Sequence, residues 1–281
     1  MRVAHLTDPH VFAEEGIGAA EIYGTLPSKR WLGGLNLALG RRKHHREGLL
    51  EAAIDDINRH GYEHVILTGD LTNLSLEAEF RRARILVDRF DGGPARVTVL
   101  PGNHDAYTPE AVVERRFERA FAPFLPEPLA WPIVRELGEL VLVAATTAVP
   151  TPWGFASGRI GAEQRAKIEA ALAGAKARGQ FRLLALHHPP VKARGTELRQ
   201  LSDRAALAGS LRRYGCELVI HGHDHRDQRS QLPGPTGPIP IYGAPSVTYV
   251  DERPDRRARY NVYTIEEHLL VRVDSRDVPR A

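Results

Sequence analysis

The sequence predicts an α/β protein: two β-sheets with helices packed outside them. Three observations carry this. Strand-length apolar runs alternate with segments of helical period, as expected of parallel strands joined by helical crossovers. The middle and the end of the chain are richer in strands, which implies that the second sheet is mixed. Several apolar runs lead directly into short polar clusters, so strands end in loops loaded with reactive side chains.

The elements follow in order. Residues 3–6 read as a strand. Residues 47–59 place Leu50, Ala53, Ile54 and Ile57 at helical spacing and stop at Gly61. A strand at 65–67 precedes a helix at 75–90 with Ser75 at its N-cap. A strand at 97–100 precedes a helix at 109–124 opened by proline. Residues 133–137 and 140–145, parted by Gly138-Glu139, read as a hairpin. An Ala-rich helix at 163–178, a strand at 181–186, a helix at 203–214 and a strand at 218–220 come next. The last strands are 239–242, 261–265 and 269–273, and the Pro/Gly-rich stretch 233–240 reads as a loop.

No repeat or linker divides the 281 residues, so 1–281 is expected to form one domain, with an insertion at 11–46 and a β tail at 251–281. With 42% hydrophobic and 26% charged residues, the chain is globular rather than disordered. A net charge of +3 is too small to imply nucleic acid. Cys216 is the single cysteine, which excludes an internal disulfide and suits a reducing compartment. No apolar run approaches the ~18 residues of a membrane span. Residues 1–8 read as a strand rather than a signal peptide, so a cytoplasmic location is expected.

Five clusters carry the chemistry: Asp8-Pro9-His10, Gly69-Asp70, Gly102-Asn103-His104-Asp105, His187-His188-Pro189 and Gly222-His223-Asp224-His225. Each alone is a weak signal. In α/β sheets, however, loops beyond the carboxyl ends of strands converge on one crevice. The donors are carboxylate, imidazole and amide without thiolate, a set that suits Zn, Mn, Fe or Co. Asp8, His10, Asp70, Asn103, His187, His223 and His225 are enough for two ions, and a carboxylate such as Asp70 can bridge them through its two oxygens.

In this order the clusters resemble the calcineurin-like binuclear metallophosphoesterases. The strings Leu6-Thr7-Asp8-Pro9-His10, Leu67-Thr68-Gly69-Asp70-Leu71 and His187-His188-Pro189-Pro190 look closest to the bacterial branch of cyclic-nucleotide and glycerophosphodiester phosphodiesterases. The resemblance implies a four-layer αββα sandwich of two mixed sheets. It also implies roles: Asp8, His10 and His225 on a first ion, Asn103, His187 and His223 on a second, Asp70 between them, and His104 as the catalytic group facing phosphate and leaving group. The Ser/Thr phosphatases of the superfamily carry glutamate where this chain has Asp105, and the enzymes acting on UDP-diacylglucosamine carry arginine where it has His104. Both branches are disfavoured.

The expected reaction is hydrolysis of a small phosphodiester by metal-bound hydroxide, with two Mn, Fe or Zn ions as cofactors. A nuclease or a phosphomonoesterase would use the same site, and a non-catalytic scaffold would have lost it. Nucleic acid is not favoured, because only Arg41, Arg42, Lys43 and Arg46 form a basic run.

Other residues receive plainer readings. His188 is expected to support the ligands, Asp105 to orient His104 or cap its loop, and His5 and His221 to be hydrogen-bonded within strands. His44, His45, His60, His64 and His268 are expected in solvent, and Trp153 and Phe155 either line a substrate pocket or pack. The apolar stretch 31–40 has basic flanks from Lys29 to Arg46, which suit either a wall of the cleft or contact with an anionic membrane surface.

Overall fold

In the computed structural model, residues 1–13, 17–23, 30, 44–192 and 196–279 are described. Among the described residues, eleven strands form two sheets. The first holds β1 (Arg2–Leu6), β2 (His64–Leu67), β3 (Val97–Val99), β10 (Arg259–Glu266) and β11 (Leu269–Asp277), in the order β11-β10-β1-β2-β3. The second holds β4 (Ile133–Leu137), β5 (Leu140–Ala144), β6 (Phe181–Ala185), β7 (Leu218–His221), β8 (Gln228–Pro233) and β9 (Pro238–Gly243), in the order β4-β5-β6-β7-β9-β8. Strands β1, β2 and β3 run parallel, as do β5, β6, β7 and β9, while β10 pairs with β1 antiparallel.

Alternation along the central strands builds the layers. On β1 and β2, Ala4, Leu6, Val65 and Leu67 face outward onto α2 (Glu47–His60) and α3 (Glu77–Val87), while Val3 and Ile66 face inward. On β5 to β7, Val141, Val143, Leu184 and Val219 join a core with α7 (Ala162–Ala177) and α8 (Arg204–Tyr214). Leu142, Leu183 and Ile220 meet the first sheet between the layers. This is the expected αββα sandwich. Shorter helices among the described residues are α1 (Ile17–Tyr23), α4 (Gly93–Arg96), α5 (Pro109–Val113) and α6 (Arg116–Ala120).

Four local expectations are corrected. The helix at 109–124 is broken, because Arg115 takes a left-handed φ of 52° between α5 and α6. Ser75 is not an N-cap: it has a φ of 51°, and the buried Glu79 carboxylate instead accepts the N–H groups of Leu74 and Leu76. The loop read at 233–240 is shorter, residues 234–237, since β8 ends at Pro233 and β9 starts at Pro238 in one hairpin. His64 is buried on β2, with Nε2 2.9 Å from Thr98 Oγ1.

That buried imidazole couples stability to pH. Burial, with Arg135 and Arg96 nearby, lowers the pKa of His64 from 6.5 to about 3. Below 6.5 the unfolded chain takes a proton that the folded chain refuses, so stability falls as pH drops from 6.5 toward 3. The His64→Gln variant can keep the Thr98 bond and takes up no proton. In chelator, its unfolding free energy should fall less steeply on acidification, by up to about 1.4 kcal/mol per pH unit, with a correspondingly smaller drop in melting temperature. Parallel melting curves for the two proteins across this range would rule the coupling out.

Candidate metal centre

The parallel strands deliver all five clusters to one end of the sandwich. Asp8 and His10 follow β1, Asp70 follows β2, Asn103 and His104 follow β3, His187 follows β6, and His223 and His225 follow β7. Backbone bonds lock the loops together: Asp8 N donates to Gly69 O, His10 N to Asp70 O and Gly222 N to His187 O, each at 3.0 Å.

The local backbone is costly. Among the described residues, five of the nine non-glycine residues with positive φ are Asp8, His10, Asp70, His223 and His225. Such conformations cost about 1–3 kcal/mol each and cluster at functional sites. Close approach demands glycine beside them. A Cβ on Gly222 would lie 2.0 Å from Thr7 Oγ1 and 2.6 Å from Asp8 Oδ2, and one on Gly69 would lie 2.6 Å from Gly102 N.

Two groups of lone pairs result. In the first, Asp8, His10, Asp70 and His225 bring one ligand atom each within 4.8 Å of the others. Asp8 Oδ2 accepts Thr7 Oγ1 and His223 N, leaving Oδ1 turned to His225 Nε2 at 3.0 Å. His10 Nδ1 donates to Thr72 O, so its Nε2 carries a lone pair 3.1 Å from His225 Nε2. In the second group, His187 Nδ1 donates to Thr68 O and His223 Nε2 to Arg199 O. Their other nitrogens lie 3.2 Å and 2.9 Å from Asn103 Oδ1. Acceptors such as His10 Nε2, His223 Nδ1 and Asn103 Oδ1 turned inward in this way suit a cation, and the nitrogen and oxygen donors fit the transition metals expected.

Asp70 joins the groups through one oxygen rather than two. Oδ1 accepts the backbone N–H of His104 at 2.7 Å. Oδ2 lies 3.8 Å from His10 Nε2 and 3.4 Å from His187 Nε2. Burial pushes this carboxyl up, but His187, His104 and His10 reverse that and hold it well below the usual carboxylate range. Burial lowers the pKa of His187, and the Asp70 carboxylate outweighs this to raise it to about 9. Burial holds His223 well below its ordinary value, with His188 and His187 adding to the effect.

His188 lies in one group with His187 and His223 by distance, yet its ring is engaged elsewhere. Its Nδ1 lies 2.7 Å from the Thr147 hydroxyl and its Nε2 3.1 Å from Ala156 O, so both nitrogens are committed to the 147–156 loop. Asp105 ties two loops together, accepting Leu71 N, Thr72 N and Gly102 N. His104 stands half-buried at the edge of the centre, its Nδ1 2.6 Å from Asn73 O and its ring stacked on Tyr107. His5 and His221 are buried in their strands, as expected. Trp153 and Phe155 are exposed rather than packed in the core.

His45 was expected in solvent and is instead buried beside His10 and His225. Ser246 and Thr248, which hold it, carry no motif. Arg30, read as part of a basic flank, is buried against Leu74 O, Thr108 and Glu110. The apolar stretch 31–40 and the basic residues Arg41, Arg42 and Lys43 lie outside the described residues. No helix among the described residues is long and apolar enough to cross a membrane.

A family model described as calcineurin-like phosphoesterase matches residues 1–227. The chain belongs to the calcineurin-like phosphoesterases. It is a metal-dependent phosphoester hydrolase of a family whose centre takes two metal ions. A Mycobacterium tuberculosis protein named a cAMP/cGMP dual specificity phosphodiesterase is 28% identical over 257 residues, covering 88% of this chain and 68% of its own length. A Synechococcus protein named a probable cyclic nucleotide phosphodiesterase is 28% identical over 190 residues, covering 65% of this chain and 66% of its own. The chain thus spans about two thirds of the length of these curated relatives. Two solved phosphoesterases share the fold. A purple acid phosphatase from yellow lupin has a TM-score of 0.64 at 13% identity, over 95% of this chain and 50% of that one. A dimetal phosphatase from Danio rerio has a TM-score of 0.62 at 14% identity, over 99% of both chains.

The Asp70 geometry is directly testable. Asp70→Asn keeps the shape and the His104 contact but removes the shared negative charge. By elemental analysis it should retain at most one ion per chain where the wild type holds two, with turnover reduced at least about a thousandfold, roughly the loss of one strong electrostatic stabiliser. Two ions and wild-type turnover in the variant would contradict a bridging role.

Proposed function

We propose that the protein hydrolyses phosphodiesters of the cyclic-nucleotide or glycerophosphodiester type, with residues 1–281 acting as one metallophosphoesterase domain. The observation that supports this most is the meeting of two lone-pair groups at Asp70 Oδ2, with His104 at the edge. The names of the two bacterial relatives support the choice of a diester.

In this reading Asp8, His10 and His225 hold the first ion, Asn103, His187 and His223 the second, and Asp70 Oδ2 serves both. When bound, two Mn, Fe or Zn ions supply a water acidic enough to attack phosphorus near neutral pH, and positive charge against the phosphoryl oxygens. The side chains do the rest. Thr7 and the His223 N–H fix one Asp8 oxygen, so the other is aimed inward. Thr72 O and Thr68 O set the tautomers of His10 and His187. His104 gives its Nδ1 proton to Asn73 O, which leaves Nε2 to carry the proton for the departing oxygen.

A substrate panel tests the choice of diester: cyclic nucleotides, glycerophosphodiesters, phosphomonoesters and oligonucleotides, each with Mn, Zn and Fe. The small diesters should give the highest kcat/KM. A preference for monoesters, or for oligonucleotides with steep salt dependence, would replace this reading. A cytoplasmic setting and a peripheral membrane contact through residues 29–46 belong to the same proposal, and sedimentation with anionic vesicles tests the contact.

The acid role of His104 has its own signature. His104→Ala should keep both ions and lose about 10²–10⁴ in kcat on substrates with poor leaving groups. The loss should be smallest on nitrophenyl esters, whose leaving groups need little protonation. Equal losses on both would leave His104 only a charge-stabilising role.

A further inference from the structure

A cavity of about 470 Å³ opens at the start of α2, lined by Arg46, Leu49, Tyr249, Glu252, Ala258 and Val278 among others. Its volume is in the range of about 300–1,000 Å³ that small-molecule sites occupy. Main-chain bonds hold its walls in place. His45 and Tyr249 form an antiparallel bridge, and Val250 N donates to His44 O at 2.7 Å. Ala258 N donates to Tyr249 O and Val278 N to Ala258 O, both at 3.1 Å.

Tyr249 joins this cavity to the metal centre. Its half-buried ring stands with its centroid 6.2 Å from that of His225 and 5.1 Å from that of His45. In the first lone-pair group His225 is the open member: its side chain is 22% exposed, against 0% for Asp8 and His10 and 3% for Asp70. A phosphate held by that group thus has an open side at His225, and Tyr249 is the aromatic ring next to it on the way to the cavity.

The lining narrows the occupant. Leu49, Ala258, Val278 and the Tyr249 ring give apolar surface. Two other charged residues of the wall are ion-paired, Asp251 with Arg253 and Arg257 with Asp277. The exposed side chains of Arg46 and Glu252 have no hydrogen-bond or ion-pair partner among the described residues. An unpaired donor and an unpaired acceptor beside apolar and aromatic surface match a flat heterocycle with ring acceptors and an amino group. A nucleobase has all of these, and a base stacks on any aromatic face. Glycerol has hydroxyl groups but no apolar face to lay on Tyr249 or Leu49.

We infer that this cavity receives the base of a cyclic nucleotide whose phosphate lies on the metal centre, with Tyr249 as the ring the base packs against. The inference rests on the diester reading above and chooses between its two substrate types.

Two variants of the metal-loaded chain test it. Gly48 also lines the cavity, and a Cβ there meets no atom within 4 Å, so Gly48→Phe adds bulk without a clash at Cβ. Tyr249→Leu removes the aromatic ring and keeps apolar bulk. The probes are cyclic AMP as substrate and inorganic phosphate, which has no organic group, as competing inhibitor. Wild type should hydrolyse cyclic AMP. Each variant should hold two ions by elemental analysis and raise KM for cyclic AMP at least about tenfold, the scale of one lost base–aromatic stack, while the inhibition constant of phosphate moves far less. Either variant decides the question if the other fails to fold. An unchanged KM, or a KM and a phosphate constant that rise together, would overturn the cavity as the base site. So would a wild-type chain that hydrolyses glycerophosphodiesters but not cyclic AMP. A wild-type chain that holds two ions and hydrolyses no diester would instead overturn the diester reading itself.

Discussion

The arrangement of the whole site depends on one buried carboxylate. Asp70 sits at the end of β2, between β1 and β3, and its two oxygens face different ways. Oδ1 receives the backbone of His104 and so ties the third loop to the second. Oδ2 is the surface on which His10 and His187 converge. The same turn supplies Thr68 O to the His187 ring and Asp70 O to the backbone of His10. Its negative charge is tolerated at full burial because imidazoles surround it. Any proton they hold must leave when a cation enters, so metal affinity and pH are linked through this group.

Five left-handed residues gathered at one end of the sheets would be an unstable arrangement on a loose scaffold. The scaffold here is rigid. The central strands are buried on both faces, so a shift of one residue would turn core side chains into the wrong layer. Asp105 adds a second restraint by accepting three backbone N–H groups and the Thr72 hydroxyl. Burial and the neighbouring Asp70 raise its pKa to about 7, against the loop N–H groups of Gly102, Thr72 and Leu71, which lower it.

Much of this was legible in the sequence, for a physical reason. Doubly buried parallel strands read as continuous apolar runs, and the polar clusters follow those runs within a few residues. What was missed lacked a local signal. The edge strand β8 is polar and mostly exposed, so nothing in Gln228–Pro233 alternates. The break at Arg115 is a backbone feature without a glycine to mark it. His64 and His45 look like solvated residues among charged neighbours. His64 is buried between the sheets, with Thr98 of its own sheet and Arg135 of the other beside it. His45 is covered by Thr248, 203 positions away, and only the fold brings the two together.

That last kind of contact bears on how the site comes into being. The strand that delivers Asp8 and His10 lies between β2 and β10, and in the register of the antiparallel pair His5 faces Asn261. Pairings so distant in sequence close slowly, because the loop entropy must be met before the contact rewards it. Until β10 docks, β1 has a parallel partner on one side and an open edge on the other, so the loop that carries Asp8 and His10 is anchored through β2 alone.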